Sequence, residues 1–553
     1  MVKTTDTKIP FAERLSRFGD DVVQVFSPHA AAKRKYFRYI SQKMFGTYRG
    51  AEGGRLRGSW LPGGGSADQD LLPDLNKLRE RSRDLVRNDG IASGAIDTIV
   101  TNIIGSGIRP QSRLDKEALK ISEDYAEKLQ RQIEAVWNRW MPYADAGNRM
   151  DFYEIEELSE RQRFVNGEAI IIPVRVPDKR RPYSFALQIV ESDRLDTPSD
   201  YTSNKKIRDG IEIGEFGEAL NYWIRKTHPG DYSYSGYRGN GSDNYIKYPA
   251  FDELGSPNIF HLYHLKRPGQ SRGEPFFTPV INLFKDRFEY MEAELVAARV
   301  AACFAIFIKK QNSNESLIAR STSSEGGKKI EELTPAMIEY LSEGEDIQSF
   351  NPNRPGGTFG LFMERILRDV SSGLNLPYEV VAKDFSRSNY SNTRAALLEA
   401  RRFFMMQQRF VSGKLGQPVF AALMEEAYLK GELGILDFYT NRSAYARANW
   451  ITPGWQWVDP ESEVKASVEA IDNNLSNLAE ESAAHGRDWE EDLEQRAREK
   501  KRINVLEAKY GISLSAPEKP KNNVQEPSKR KANDEVSQTE PPAGKPAQEV
   551  ASA

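Results

Sequence analysis

The sequence predicts a mainly helical α+β chain, and three observations carry that prediction. Apolar residues recur at three- and four-residue spacing in several stretches, most clearly Ala92, Ala95, Ile96, Ile99, Val100 and Ile103. Two short runs break that rhythm: Ala169 to Val174 and Phe185 to Val190 read as strands joined by a turn rich in Pro, Arg and Lys. Helical spacing then returns from Ile281 onward and dominates the second half. At 553 residues the chain exceeds one ordinary core, so several domains or layers are expected.

Residues 1–70 mix a basic aromatic run, Lys33-Arg34-Lys35-Tyr36-Phe37-Arg38-Tyr39, with Gly53-Gly54 and Gly63-Gly64-Gly65, and read as a loosely held arm. Cations interleaved with aromatics can stack on nucleic acid. Runs of this kind more often face solvent or a partner, so contact with a partner or a neighbouring subunit is the preferred reading. Residues 71–280 are expected to be α+β. Pro73-Asp74 opens a helix carrying Leu75, Leu78, Leu85 and Val86, which pauses at Asn88-Asp89-Gly90. The next helix stops at Gly105 and Gly107, giving a buried hairpin. Further strands are expected near Ala219 to Arg225 and Ile259 to Leu265.

The helix from Ile281 to Ala302 sets Lys285, Asp286, Arg287, Glu289, Glu292 and Glu294 among Phe284, Phe288, Met291 and Leu295, so it is not buried on all sides. It runs into a strand-like Phe304 to Ile308. Residues 309–355 form a polar excursion with a short Thr334 to Leu341 helix, and a second helix, Phe359 to Ser372, follows before the break at Gly373 to Pro377. A loop over 377–392 leads into a long helix from about Thr393 to Val411, within 393–450. Beyond Trp450, Pro453-Gly454 turns the chain and Asp459-Pro460 starts a helix with a stripe of Val464, Val468, Ile471, Leu475 and Leu478. A final helix, Asp488 to Lys509, is acidic at its start and basic at its end, as its dipole favours. Ser515 to Ala553 has no aromatic residue and is expected to be a disordered tail.

Composition excludes several function classes. Lys+Arg 77 against Asp+Glu 80 leaves a net charge of -3, which is no basic coat for nucleic acid. One cysteine, Cys303, excludes a disulfide framework within the chain and a paired-cysteine zinc cluster, and points to a reducing cytoplasm as the place of assembly. The N-terminus lacks the apolar core of a secretory signal, and the most membrane-like stretch, Val300 to Ile308, is too short to span a bilayer. No phosphate-cradling loop is present: Gly326-Gly327-Lys328 lacks its upstream glycine, and Gly413-Lys414 is followed by Leu415. His261 and His264 lie three apart in a strand and so point to opposite faces, and Gly105-Ser106-Gly107 follows a helix where a dinucleotide loop would precede one. Cys303 sits among alanines as a small packing residue. The chain is read as a non-enzyme without metal or cofactor.

Four stretches, in order, resemble the lambda-like family of phage portal proteins. They are Arg83-Asp84-Leu85-Val86-Arg87-Asn88-Asp89-Gly90 continuing to Asn102-Ile103-Ile104-Gly105-Ser106-Gly107-Ile108-Arg109-Pro110, then Arg267-Pro268-Gly269-Gln270-Ser271-Arg272-Gly273. Next come Gly373-Leu374-Asn375-Leu376-Pro377-Tyr378-Glu379 with Ser388-Asn389-Tyr390-Ser391-Asn392-Thr393-Arg394, and last Trp450-Ile451, Asp459-Pro460, Glu463 and Lys465. The resemblance spans about residues 30–510 and stops short of the first thirty residues and of the tail after Leu514.

The resemblance implies the portal fold, assembled as a ring, usually of twelve subunits, at one capsid vertex. It implies a wing over 71–280, stem helices over 281–308 and 356–376, a clip over 309–355, a tunnel loop over 377–392, a wing helix and return over 393–450, and crown helices over 451–514. Double-stranded DNA would pass through the ring during packaging and ejection. Terminase and later the head-tail connector proteins would dock on it, and the major capsid protein or scaffold would surround it in the virion. Within the tunnel loop, Lys383 and Arg387 could touch phosphates, while Ser388, Asn389 and Tyr390 supply neutral contacts. Another capsid or tail structural protein is the alternative. A nuclease or other DNA-processing enzyme would need an acidic metal cluster beside a basic cleft, and no such spacing is found.

Overall fold

Ser66 opens the first helix, accepting from the Gln69 amide at 3.3 Å, so α1 (Ala67–Asn88) starts six residues before Pro73 instead of at it. Tertiary anchors outweigh the proline: Asp68 takes Arg208 at 2.9 Å and the Ser271 amide at 2.8 Å, and Asp70 takes Arg267 at 2.6 Å. The computed structural model describes residues 63–231, 241–303, 307–310, 345–348, 359–455 and 460–511. The expected arm before residue 63, the Thr334 to Leu341 helix, Phe304 to Ile306, the side chain of Cys303, and the expected tail lie outside the described residues.

Asp89 separates α1 from α2 (Gly90–Ile104) by capping it, its Oδ1 accepting from Ile91 and Ala92 at 2.9 and 3.1 Å. Gly105 and Gly107 end α2 at φ 48° and 101°. A Cβ on Gly107 would overlap the Tyr153 ring, so this glycine pair is a helix stop packed against a neighbour. The expected hairpin is therefore found, with Ile96, Ile99 and Ile103 fully buried. It packs against α3 (Glu123–Trp140) and α4 (Phe152–Asn166). Trp137, Trp140, Phe152 and Phe185 fill the centre, with ring centroids 4.9 to 5.5 Å apart in contacting pairs, and Trp140 donates to the Phe185 carbonyl at 2.8 Å.

Strands β2 (Glu168–Arg175), β3 (Phe185–Val190) and β8 (Phe260–Tyr263) form an antiparallel sheet in the order β3-β2-β8. Ile171 faces the helices, while Ile170 and Ile172 join Val190, Leu195, Ile211, Tyr222 and Ile224 in a second core. Burial on both faces is why β2 reads as an unbroken apolar run. That second core is closed by an antiparallel sheet of β4 (Ile207–Arg208), β5 (Ile211–Ile213), β6 (Ala219–Arg225) and β7 (Tyr245–Pro249). A link the sequence did not reveal joins β1 (Arg109–Ser112) to β11 (Ala448–Ile451), pairing Arg109 with Ile451.

Helix α5 (Ile281–Cys303) and helix α6 (Phe359–Gly373) run antiparallel: Val280 abuts Gly373 at one end, and Tyr290 stacks on Phe359 at 5.7 Å towards the other. Between them β9 (Phe307–Lys310) pairs antiparallel with β10 (Glu345–Gln348). Helix α7 (Tyr378–Ala382) and helix α8 (Tyr390–Val411) follow, the latter continuing through a wide turn at Ser412–Gly416 into α9 (Gln417–Leu429). The single apolar stripe expected over 464–478 is interrupted. Helices α10 (Pro460–Asp472) and α11 (Leu478–Ala484) are separated by Asn474 at φ 58°, and Asn477 caps α11, which leaves Leu475 82% exposed in the turn. Helix α12 (Trp489–Tyr510) belongs to a separate unit and has no buried residue.

Candidate DNA-channel loop

The loop expected over 377–392 is shorter than its sequence suggests, because helices enter it from both sides. Pro377 starts α7, and Asn389 caps α8 by accepting from the Asn392 amide at 2.8 Å, so Tyr390 is already helical. Residues 383–389 remain as the connection. Asp384 organises it, accepting from Ser386 N and Oγ at 3.0 and 2.6 Å and from the Tyr378 hydroxyl at 3.0 Å. These bonds hold the Asp384 carboxyl below the usual carboxylate range.

Four of the five expected contact residues share this short segment, Tyr390 opens α8, and their surroundings are unlike. Arg387 is exposed yet paired, its Nη1 lying 2.6 Å from Glu364 of α6, which also takes Arg368 at 2.8 Å. Of the two cations expected to touch phosphates, Arg387 is thus ion-paired to a carboxylate of α6, 23 residues upstream. Lys383 has no ion pair among the described residues and adopts φ 54° at the end of α7. It rims a cleft of about 300 Å³ whose one carboxylate, Asp89, is already taken by Arg287. Ser388 is partly covered and donates its amide to the Phe385 carbonyl at 3.1 Å, while Asn389 and Tyr390 are exposed.

A second cluster, which the sequence did not single out, lies inside the body. Glu168 is fully buried at the start of β2 and receives Arg272 at 2.6 Å, Arg79 at 2.7 Å, His261 at 3.0 Å and the Gly273 amide at 2.9 Å. Burial alone would raise its carboxyl, but Arg272, Arg79 and the His261 hydrogen bond hold it well below the ordinary range. An ionised carboxylate only accepts, so His261 donates from Nε2, and burial lowers its own pKa and keeps it neutral. Burial likewise lowers Arg79, to about 10. Gly273 and Gly167 touch backbone to backbone, where a Cβ on either would clash. Gln270 closes the turn, accepting from Lys266 N at 2.9 Å and donating to the Arg272 carbonyl at 2.7 Å. The Arg267 to Gly273 element is thus a clamp that fastens α1, β2, β8 and the four-stranded sheet together. His264 faces elsewhere, 2.8 Å from Gln407 of α8. Among the described residues no group of three or more His, Cys, Asp or Glu is placed to hold a metal, and no helix is long and apolar enough to cross a membrane.

The family described as phage portal protein, lambda family, matches residues 53–408. The chain belongs to that family. The portal protein of Escherichia phage N15 is 26% identical over 477 residues, covering 81% of this chain and 88% of the relative. Portal protein B of Escherichia phage lambda is 25% identical over 474 residues, with 81% and 87% covered, and a probable portal protein of Halomonas phage phiHAP-1 is 27% identical over 505 residues, with 89% and 93% covered. Among solved structures, a chain from the neck of a native gene transfer agent particle aligns with TM-score 0.39 at 12% identity, covering 73% of this chain and 93% of that one. A portal protein of the HK97 family from Corynebacterium diphtheriae aligns with TM-score 0.30 at 12% identity, covering 69% and 96%. As a portal, the chain is a non-enzymatic component of the virion and forms the head-tail connector channel for DNA packaging. The matched range contains the clamp, both stem-like helices and the whole 383–389 connection, whereas the Trp450 to Lys465 resemblance lies beyond it.

Proposed function

We propose that this portal acts as a closed ring, of twelve copies, at one capsid vertex, with DNA passing along its axis past Lys383. Residues 71–280 and 393–450 serve as the wing, 281–308 and 356–376 as the stem, 309–355 as the clip, 377–392 as the tunnel loop and 451–514 as the crown. The observation that carries the ring is the apolar surface of the helix pair. Phe288, Met291, Leu295 and Val296 on α5, and Leu361 and Phe362 on α6, are each at least 40% exposed in the single chain. A charged helix pair with unpartnered apolar faces is what copies packed side by side would cover.

Charge supports sliding over gripping. Arg365 pairs with Asp369, Arg368 and Arg387 with Glu364, Lys285 with Glu289 and Arg287 with Asp89, so cations of the stem and loop are largely answered within the chain. A bore without a dense row of free cations makes few phosphate contacts and releases few counterions, hence holds DNA weakly. Force then comes from a terminase docked on the clip, later replaced by head-tail connector proteins, while major capsid protein or scaffold surrounds the wing. Native mass measurement with negative-stain imaging tests the ring. Closed particles with a central hole and twelve chain masses are expected, and a monodisperse monomer or open filament at assembly concentrations overturns it.

A further inference from the structure

The four-stranded sheet ends in an unusual surface. At the β5–β6 turn Phe216 is 92% exposed, and beside it Leu220, Phe251 and Leu254 are 44%, 58% and 61% exposed. They share one end of the sheet because β6 and β7 are antiparallel, with the Ala250 amide donating to the Leu220 carbonyl at 2.9 Å. Both tips are held in shape. The Phe216 amide donates to Glu218 at 2.8 Å, the Ser256 amide to Asp252 at 2.7 Å, and Arg442 donates to the Ser256 hydroxyl at 2.7 Å. Apolar groups displayed on turns this well bonded are not frayed core.

The same end carries Glu215, Glu218, Asp252 and Glu253, none of them in an ion pair among the described residues. Lys205 and Lys206 on the adjoining turn leave the end net negative. The surface therefore wants a segment that offers both aromatic groups and cations. The chain contains one: Lys33-Arg34-Lys35-Tyr36-Phe37-Arg38-Tyr39, four cations and three aromatics in seven residues. Its tether is suitable. The described chain begins at Gly63 beside this sheet, since Asp68 pairs with Arg208 of β4. Tyr39 lies 24 residues before Gly63, a length of chain that can reach at most roughly 80 Å.

We propose that Lys33 to Tyr39 docks on this acidic, apolar end of the four-stranded sheet within its own copy. Tyr36, Phe37 and Tyr39 cover Phe216, Phe251 and Leu254, while the cations meet Glu215 and Glu253. The inference stands apart from the ring and from DNA, and it assigns the basic run to protein contact.

Zero-length carbodiimide coupling of the full-length protein tests it, because that reagent joins only touching amines and carboxyls. Amide links from Lys33 or Lys35 to Glu215 or Glu253 are expected in the wild-type chain. They should vanish when Lys33→Arg/Lys35→Arg chains are co-expressed with Glu215→Gln/Glu253→Gln chains, since only links between copies could then form. Absence of links in the wild type, or their persistence in that mixture, overturns the proposal. A second reading uses the doubly substituted Phe216→Ser/Phe251→Ser protein, whose changes are confined to exposed tips. Trypsin cleavage between Lys33 and Arg38 should accelerate about tenfold as the undocked fraction rises. An unchanged rate, with folding intact by circular dichroism, equally overturns it.

Discussion

Glu156 and Glu168 are twelve residues apart and both completely buried, yet their surroundings drive their carboxyls in opposite directions. Glu168 meets two guanidiniums, an imidazole and a backbone amide, and stays ionised. Glu156 has the Ile108 amide at 3.0 Å on one oxygen and no hydrogen-bond partner on the other among the described residues. Burial pushes it well above the carboxylate range against that one bond, and nearby Glu160 adds to the rise. Depth therefore does not tell what a buried acid does; the donors around it do. The same rule separates Arg272, locked into the fold, from Lys383, exposed and unpaired.

The largest effect is expected from Glu168→Gln, which removes the buried carboxylate between Arg79 and Arg272 and leaves Arg272 only the ion pair with Asp209, at 2.6 Å. A loss of about 3–5 kcal/mol is expected in denaturant unfolding. Its pH dependence has a definite sign. The folded pKa is depressed, so the stabilisation is complete above the unfolded value, about 4.3, and fades only as pH falls towards the lower folded value. A Glu168→Gln variant that unfolds within about 1 kcal/mol of wild type would show that the clamp does not anchor the fold. Next in size is Gly373→Ala. Its Cβ would overlap Val280 Cγ1, a branched side chain that is itself buried, so a loss of about 1–3 kcal/mol is expected. Adding Val280→Ala should recover part of it in a double-mutant cycle; simple additivity would show that the helix ends do not touch as described.

Glu156→Gln reverses the direction. The folded pKa is raised, so the wild-type contribution is intact below the unfolded value and is lost as pH climbs towards the folded one. Glutamine does not ionise, and near neutral pH the variant should be more stable by on the order of 1 kcal/mol, the gain disappearing at about pH 4. Melting curves at a series of pH values measure this, and a gain independent of pH points to packing instead of ionisation.

How much of this was legible in sequence follows from the range of each interaction. The helical hairpin, the strands β2 and β3 and the two stem-like helices show in local periodicity, because each buries a face set by its own spacing. The Arg267 to Gly273 element was visible as a motif, but its role was not, since Glu168 is 104 residues from Arg272. The β1–β11 pairing escaped for the same reason, with Arg109 and Ile451 far apart along the chain. At the candidate loop the Arg387 ion pair was not legible: Glu364 belongs to another helix, so nothing near Arg387 in sequence announces its partner.

That pairing sharpens the smallest expected effect on stability, at Lys383 and Arg387. Arg387 is well exposed although Glu364 is mostly covered, and a pair with one partner in solvent is worth about 1 kcal/mol at most, while Lys383 has no ion pair to lose among the described residues. Changing both to Ala should leave melting and ring assembly nearly untouched. Packaging and retention of DNA should change, and Lys383→Ala alone should carry most of that change, because it removes the cation that no carboxylate already answers. Arg387→Ala frees Glu364, which still holds Arg368, so its own effect should be the lesser. Raising salt weakens phosphate contacts, so wild-type retention should fall towards that of the Lys383 variant as salt increases. If the double variant yields filled, infectious particles that hold DNA as the wild type does at every salt concentration, Lys383 makes no contact of consequence and the cation beside the bore is an ordinary solvated lysine.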